Sequence, residues 1–214
     1  MSKLFVWNVQ GFGDPNFLTT VRQFIRDNNP YIIKLFEPRS GYKANSVILA
    51  LGVPNSHRIE ASGFSGGIWL CWKNTITTDI LLNHFQFLHF RVHNIDGSSS
   101  LVTLIYARPN AVKRNTLWIH LHSLSSSIHS SWLLYGNFNT TLHTVDRKGC
   151  SPNSRPSRAF QDLVLNHGLQ DTEFQEPEYT WTQGDSYVRL NRMLCNTYWD
   201  ATFPMLGHST HIIS

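Results

Sequence analysis

The stretch that decides the fold of this chain is Trp132-Leu-Leu-Tyr-Gly-Asn-Phe-Asn139. Its first four residues form a short apolar run, which is typical of a buried strand, and Gly136 ends that run. Two amides, Asn137 and Asn139, then stand two positions apart. Because side chains at positions i and i+2 of a strand lie on the same face, both amides are expected to point into one cleft.

Length and composition are those of one large folded domain. The chain has 214 residues, of which 41% are hydrophobic and 13% aromatic. That is enough for one sizeable core and too little for two comfortable domains, so we expect a single domain over residues 1–214. No segment reaches the roughly 20 consecutive apolar residues that a membrane-spanning helix needs. Residues 1–7 enter a strand-like run at once, which does not match a signal peptide.

Cysteine content and charge bear on the compartment and the partner. Cys71, Cys150 and Cys195 are odd in number and far apart, which fits neither a disulfide framework nor closely spaced zinc ligands. We therefore expect reduced thiols in an intracellular protein, nuclear or cytoplasmic. The net charge of +4 and the pI near 9.1 are compatible with a polyanionic partner without requiring one. The 11 histidines are scattered, so no zinc site is predicted from their spacing.

The hydrophobic pattern alternates between strands and helices. Predicted strands are 4–6, 32–36, 46–50, 68–72, 77–82, 85–92, 100–106, 132–135, 179–181, 188–193 and 211–213. Three helices are predicted: one begins at Asp14-Pro15, one covers 113–126, and one is capped by Ser157 and closed by Gly168. Residues 146–157 read as an exposed basic loop. This mixture favours a two-layer β core flanked by helices over a doubly wound parallel sheet, which needs more crossover helices.

Polar side chains recur where the predicted strands end. Asn8, Glu37 and Tyr106 each follow an apolar strand, as do the amides of the opening stretch, and His211 opens the last strand. Ligand sites gather at one end of the strands of open sheets, so these side chains are expected to converge.

Short motifs that contain these residues resemble those of the endonuclease/exonuclease/phosphatase superfamily. The resemblance is strongest to the abasic-endonuclease-like domain of plant LINE-type (non-LTR) retrotransposons. The motifs, in family order, are Trp7-Asn8-Val-Gln10-Gly11, Leu35-Phe-Glu37, Gly66-Gly67-Ile68-Trp69, Ile105-Tyr106-Ala-Arg-Pro109, Gly136-Asn137-Phe138-Asn139, Tyr179-Thr-Trp181-Thr, Arg189-Leu-Asn191-Arg192 and Ser209-Thr210-His211. Each motif is short, but eight in this order over nearly the whole chain are specific.

The resemblance implies a four-layer α/β-sandwich in which two packed mixed β-sheets are flanked by helices. It also implies hydrolysis of a DNA phosphodiester with Mg²⁺ or Mn²⁺ as cofactor, and duplex DNA, held by its phosphate backbone, as partner. No membrane and no protein partner are implied. In this chemistry a carboxylate holds the hard Mg²⁺ ion, which polarises the phosphoryl oxygens and stabilises the leaving group.

The resemblance assigns roles to five residues. Glu37 matches the family's metal-binding glutamate, and Asn8 matches an amide near the metal. Tyr106 matches the tyrosine that contacts phosphate, and Asn139 matches the amide that orients the scissile phosphate. His211 matches the catalytic histidine.

Three other positions depart from the family pattern. Asn137 stands where the family has the aspartate that activates water, and an amide cannot act as a base near neutral pH. Thr210 replaces the carboxylate that orients the histidine and raises its pKa. Asn191 replaces the aspartate of Arg-Leu-Asp-Arg. The motif around His211 is short, and His208 remains the alternative to it.

These residues support three hypotheses. The first is the DNA-nicking endonuclease domain of a LINE-type element, in a degenerate copy with weak or no activity. The second is a non-catalytic nucleic-acid-binding module that keeps the cleft. The third is a phosphatase of a small phosphate ester.

Tryptophans 69, 72 and 181 are expected in the core, and the cations 147, 148, 155 and 158 either meet phosphates or form a solvated charge run.

Overall fold

A computed structural model describes residues 4–8, 16–36, 44–60, 67–94, 96–149, 155–172, 178–203 and 212–213, the first and last of these ranges by their backbone. Within these residues the chain forms mixed β-sheets that are flanked by five α-helices. This architecture confirms the predicted α/β fold class. The chain divides into two compact units. The first comprises residues 1–99 and 209–214, and the second comprises residues 100–208.

The first unit is built around a five-stranded mixed sheet. Its elements are β1 (Leu4–Asn8), α1 (Phe17–Asn28), β2 (Ile32–Phe36), α2 (Ala44–Leu51), β3 (Asn55–Ile59), β4 (Ile68–Trp72), β5 (Thr77–His84), β6 (Phe87–His93) and, near the end of the chain, β14 (Ile212–Ile213). The sheet order is β14-β1-β2-β4-β3. β1 is parallel to both β14 and β2, whereas β4 is antiparallel to β2 and β3.

Helix α1 buries one face in the core of this unit. Phe17 and Val21 of the helix, four residues apart, join a cluster that contains Ile33 and Leu35 of β2 and Trp69 of β4. Four-residue spacing places two side chains on one helical face, so the apolar pair faces inward while the polar positions stay in water. Each such fully buried side chain stabilises the fold by about 1.5–3 kcal/mol.

The sequence prediction for residues 46–50 is wrong, because this apolar run is part of helix α2. Val47, Ile48 and Leu51 are buried, whereas Leu49 is 79% exposed, and this one-sided pattern is helical. A five-residue apolar run is compatible with the period of a strand and with that of a helix, so periodicity alone does not decide between strand and helix. The next strand, Asn55–Ile59, was missed because its residues are mostly polar.

Several other boundaries of the first unit follow the prediction. β2 and β4 have the predicted limits, and β5 and β6, predicted as strands 77–82 and 85–92, form an antiparallel hairpin with a bulge between Ile80 and Leu82. Helix α1 begins later than predicted. Its N-cap is Asn16, which makes no side-chain capping bond, and the predicted Asp14-Pro15 start lies outside the described residues.

The second unit contains the stretch Trp132–Asn139. Its elements are β7 (Ser99–Tyr106), α3 (Ala111–Ser127), β8 (Trp132–Asn137), a 3₁₀ turn (Thr144–Asp146), β9 (Arg147–Lys148), α4 (Arg158–Asn166), β10 (Gln170–Asp171), β11 (Trp181–Gln183), β12 (Ser186–Val188), β13 (Asn191–Cys195) and α5 (Thr197–Thr202). Four strands lie in the order β10-β13-β8-β7, and β11-β12-β9 form a separate antiparallel sheet.

Strand β8 is the centre of this unit. All six of its residues are buried, and it pairs in parallel with β7 on one side and antiparallel with β13 on the other. Its first residue is anchored by a hydrogen bond, since the Trp132 indole Nε1 donates to Thr103 Oγ1 of β7 at 2.8 Å. A strand covered on both faces reads as a continuous apolar run, as this one does.

Two helices pack in the second unit with the caps that their sequences provide. The Asn110 side chain accepts from Lys113 N at the start of α3, and the Ser157 hydroxyl accepts from Phe160 N at the start of α4, as predicted. Aromatic rings join the two helices. Phe160 stacks on Trp118 and on Phe138, with ring centroids 5.2 and 4.6 Å apart.

The structure also bears on the cysteines and on membrane-spanning helices. The thiols of Cys71 and Cys195 are buried and free, and burial raises their pKa to about 12 and about 11, respectively. Cys150 lies outside the described residues. Of the helices in the described ranges, none is both long and apolar enough to cross a lipid bilayer; the longest, α3, has 17 residues.

Candidate functional site

Three of the sequence-predicted residues form a row across neighbouring strands of the second unit. Tyr106 at the end of β7 is in register with Asn137 at the end of β8, which is in register with Asn191 at the start of β13. Residues paired across strands project from the same face of a sheet. All three are at least nine-tenths buried, with exposures of 3%, 7% and 6%. We call this set the strand-end row.

Asn139 completes the row through the turn that follows β8. Its backbone N–H donates to Asn137 Oδ1 at 2.7 Å, and its side-chain Nδ2 donates to Ala107 O at 2.6 Å. Its backbone is left-handed, with φ of 48°, a conformation that asparagine tolerates better than most residues. The two amides are therefore linked to each other and to the loop after Tyr106.

Gly136 allows this arrangement because of its backbone. Its φ is +148°, and a Cβ atom built on it would lie 1.9 Å from the carbonyl oxygen of Ile105 in β7. No other residue fits where the two strands approach this closely. The glycine in the opening stretch thus permits the pairing that brings Asn137 level with Tyr106.

The Tyr179-Thr-Trp181 motif holds the other end of the row. The Thr180 hydroxyl accepts hydrogen bonds from the backbone N–H groups of Leu190 and Asn191, at 2.9 and 3.0 Å. Leu190 in turn accepts from Phe138 N at 2.9 Å. The motif noted in the sequence therefore has a structural explanation, because it fixes the chain where β13 begins.

Two carboxylates of this unit, Asp146 and Asp171, are paired with arginine. Arg192, fully buried in β13, forms ion pairs with Asp146 and with Asp171. Asp146 also accepts from the N–H groups of Leu142 and His143, at 2.9 and 2.7 Å. Asp171 is shared with Arg189 at 3.2 Å. We call Arg192, Asp146, Asp171 and Arg189 the arginine network.

This network was not predicted from the sequence. Residue 146 was expected in an exposed basic loop, but Asp146 is only 4% exposed and ends a 3₁₀ turn, and Arg147–Lys148 form a strand. The available signal was Arg192, a charge directly before the apolar run Met193–Cys195. Such a charge requires a carboxylate partner in the fold.

The described residues around Asn137 do not fit a magnesium ion. Mg²⁺ demands hard oxygen ligands and is usually held by one or two carboxylates. The row offers amides and a phenol, and the nearby carboxylates described above are neutralised by arginine. In the described part of the chain, no group of three or more His, Cys, Asp or Glu side chains could hold a metal.

Other predicted site residues lie outside what the structure describes. Glu37, Thr210 and His211 fall outside the described residues, as does His208, the alternative to His211. Asn8 is the last residue of β1, whose backbone alone is described. The structure therefore brings together Tyr106, Asn137, Asn139 and Asn191, and the other positions stay predictions.

The small sheet β11-β12-β9 presents aromatic and basic side chains to solvent. Trp181 is 39% exposed and Tyr187 is 38% exposed, so the sequence expectation that Trp181 lies in the core is wrong. Tyr187 pairs across strands with Lys148, which is also exposed, and its ring lies 5.9 Å from that of Tyr179. Exposed rings beside cations are suited to stacking on bases and to neutralising phosphates.

A second basic feature lies beside the loops of the row. The guanidinium of Arg114, in α3, donates to the carbonyls of Arg108 and Pro109 at 2.8 and 2.9 Å. Arg147 Nε donates to Thr141 Oγ1 at 3.0 Å. Burial, and then the positive charge of Arg147, lower the pKa of Arg114 from its ordinary value. Positive charge therefore lies next to the loop that follows Tyr106 and the turn that contains Asn139.

A cavity of about 450 Å³ lies apart from these residues. It is lined by Leu142, His143, Arg158, Gln161, Asp162, Val164 and Leu165, on one side of α4. None of the predicted site residues lines it, so the strand-end row, rather than this cavity, is the candidate site.

Solved structures share this fold. The 3′ phosphatase NExo from Neisseria, bound to a product DNA hairpin, is 18% identical, with a TM-score of 0.62 over 94% of this chain and 89% of its own. The endonuclease domain of TRAS1, a telomere-specific non-LTR retrotransposon, is 11% identical, with a TM-score of 0.66 over 92% and 86%. The AP endonuclease LMAP from Leishmania major is 15% identical, with a TM-score of 0.61 over 91% and 79%.

The sequence comparisons give the family. No curated protein matches the chain. The model of the endonuclease/exonuclease/phosphatase family matches residues 5–210, which is nearly the whole length. The chain that carries this row of strand-end amides therefore belongs to the endonuclease/exonuclease/phosphatase family.

Proposed function

We infer that this chain is the DNA-nicking endonuclease domain of a LINE-type retroelement, in a degenerate copy with weak or no hydrolytic activity. The observation that carries the proposal is the neutral strand-end row. Tyr106, Asn137 and Asn191 are in register and buried, and two of them stand where the family resemblance expects aspartates. The row therefore has the residue arrangement expected of a phosphodiesterase site but lacks the negative charge of its aspartates.

The missing charge affects two steps of the expected chemistry. An amide at position 137 cannot take a proton from water, and loss of a general base costs about 10²–10⁴-fold in rate. The neutral residues at 137, 191 and 210 also leave Glu37 as the carboxylate assigned to the metal, and a single carboxylate with waters is a weak site for Mg²⁺ or Mn²⁺. Tyr106 and Asn139 keep groups that can hydrogen-bond a phosphate oxygen.

Surface chemistry supports DNA as the partner. Trp181 and Tyr187 provide exposed rings, and Lys148 and Arg147 provide cations on the same small sheet. This combination suits a polyanion whose bases can stack. The TRAS1 domain, which belongs to a non-LTR retrotransposon, and NExo, which was captured with a DNA hairpin, are consistent with this partner.

A nicking assay tests the proposal. The purified chain is incubated with supercoiled plasmid and Mg²⁺ or Mn²⁺, beside the double variant Asn137→Asp/Thr210→Asp. We expect the double variant to nick at least about 100-fold faster than the unmodified chain, because it regains a general base and the carboxylate beside His211. The matched control adds Asn139→Ala to the double variant, which removes the phosphate-orienting amide and should abolish the gain.

The outcomes separate two functions. Equal nicking by the unmodified chain and the double variant would contradict a degenerate site. Tight DNA retention without nicking in either protein would replace the proposal with the second candidate, a non-catalytic nucleic-acid-binding module. The exposed aromatic and basic sheet is the observation that favours this candidate.

A further inference from the structure

Two histidines meet between helices α3 and α4, outside the strand-end row. His122 is in the last third of α3, and His167 directly follows α4. Nδ1 of His122 and Nε2 of His167 are 2.8 Å apart, and the ring centroids are 5.0 Å apart. Both side chains are partly buried. The pair therefore links helix α3 to the end of helix α4 through two residues that are 45 positions apart in sequence.

The geometry requires that the two rings share one proton. A neutral imidazole has one N–H donor and one acceptor nitrogen, so one of the facing atoms donates and the other accepts. Two protonated rings would place two donors against each other. The nitrogen that accepts in this hydrogen bond carries the lone pair with which a neutral imidazole binds a metal ion.

We propose that His122 and His167 form an open two-histidine site for a borderline transition-metal ion such as Zn²⁺, Ni²⁺ or Cu²⁺. Zn–N bonds of about 2.0–2.1 Å at a tetrahedral angle place two ligand nitrogens about 3.3 Å apart. The observed 2.8 Å therefore has to widen by about 0.5 Å, which small side-chain rotations supply. The ion binds the two facing nitrogens, and the proton between them moves to the outer nitrogen of the ring that carried it, so that ring stays neutral.

The ligand set predicts which ions bind and how tightly. Imidazole suits Zn²⁺, Cu²⁺ and Ni²⁺, whereas Mg²⁺ prefers oxygen, so this site is distinct from the magnesium chemistry of the proposed function. Among the described residues, no third His, Cys, Asp or Glu side chain joins the pair, so water completes the coordination. Affinity is accordingly modest. The spacing of 45 residues explains why sequence spacing assigned no zinc site.

Thermal unfolding of the full chain with and without metal tests the site. The protein is stripped with a chelator and then melted with ZnCl₂ or NiCl₂ in excess. An ion that binds only the folded state raises the melting temperature, and we expect a rise of about 3–6 °C when it is well above its Kd. His122→Gln and His167→Gln should each lose this rise.

His120→Gln is the matched control. His120 is on the same helix but exposed, and its Nδ1 is bonded to Thr116 O of its own helix, 2.7 Å away. This variant should keep the full rise. An equal rise in His122→Gln, or no rise in the unmodified chain, would overturn the proposal.

A second measurement avoids reliance on the variants. Substoichiometric Cu²⁺ is added to the unmodified protein, and the imidazole proton resonances are followed by NMR. Because a paramagnetic ion broadens its ligands first, we expect the His122 and His167 signals to disappear before those of His120. Broadening of other histidines first would contradict the site.

Discussion

The strand-end row and the arginine network lie in the same unit, but the row is neutral whereas the network consists of charged side chains. Tyr106, Asn137 and Asn191 are buried, aligned and neutral. The network, one residue further along β13, has a fully buried Arg192 paired with Asp146 and Asp171. Carboxylates thus stand where they neutralise a buried cation, and amides stand where the family resemblance expects carboxylates for chemistry.

This difference indicates that the charges needed for folding are not the charges needed for catalysis. A buried carboxylate without a partner is costly, whereas one that is paired and hydrogen-bonded is tolerated. Replacing the network would therefore damage the fold, while amides in the row leave it intact. A chain can lose the negative charge of its site and still fold, which is what the proposed degenerate function requires.

The largest expected effect comes from breaking the network. Arg192→Met removes the cation and leaves Asp146, which is 4% exposed, as a buried unpaired charge. We expect a loss of about 3–5 kcal/mol in the free energy of unfolding. Urea denaturation followed by tryptophan fluorescence measures it.

Arg189→Met is the matched control for this variant. Arg189 is more exposed and makes one ion pair, with Asp171 at 3.2 Å. Its loss should cost no more than about 1 kcal/mol. Equal losses in the two variants would show that the network is not the structural element described above.

The second effect tests how the row is assembled. Gly136→Ala places a Cβ atom against the carbonyl of Ile105 and forces a left-handed backbone on alanine. We expect a loss of about 3 kcal/mol, because β8 has to move away from β7. Gly168→Ala, at a φ of +57° with open space around it, should lose only about 1–2 kcal/mol. Denaturation curves that coincide for the two variants would contradict the close approach.

The third effect extends the comparison to the solvent-exposed sheet. Trp181→Ala removes an exposed ring and should weaken DNA binding by roughly 10-fold, as expected for one stacking contact. Fluorescence anisotropy with a labelled oligonucleotide at fixed salt measures the change. Leu165→Ala, which removes an exposed apolar side chain of α4, should leave the affinity unchanged. Unchanged binding in Trp181→Ala would exclude this ring as a contact.

The smallest effect on stability is expected for restoring charge to the row. Asn137→Asp keeps the oxygen that accepts from Asn139 N at 2.7 Å, so at a pH at which this buried carboxyl is protonated stability should change by no more than about 1 kcal/mol. Asn137→Ala loses that acceptor and should cost about 1–2 kcal/mol. Urea denaturation ranks the two. If the aspartate variant were the less stable one, the row would not be a site that accepts a carboxylate.

The sequence correctly predicted those elements whose local residue pattern is enough to define them. Strands β2, β4 and β7 and the Ser157 cap were located because apolar runs and a capping hydroxyl act locally. Residues 46–50 were assigned to the wrong state because tertiary packing decides between helix and strand in a short apolar run.

Long-range polar contacts are what the sequence could not supply. The sequence predicted that polar side chains at the ends of strands converge, but not that Tyr106 pairs in register with Asn137. The partners of Arg192 were not predicted either, since Asp146 and Asp171 are 46 and 21 residues away along the chain and nothing local marks them. The His122–His167 pair was missed for the same reason.

The central claim is that the row has too little negative charge to bind the family's ion. A Mg²⁺ titration followed by ¹⁵N NMR tests it at the backbone and side-chain amides of Asn139, which lie beside Asn137. In the unmodified chain we expect no saturable shift of these signals up to about 10 mM Mg²⁺, because amides are weak ligands for this ion. In Asn137→Asp the same signals should shift and saturate. A saturable shift in the unmodified chain at micromolar Mg²⁺ would contradict the account.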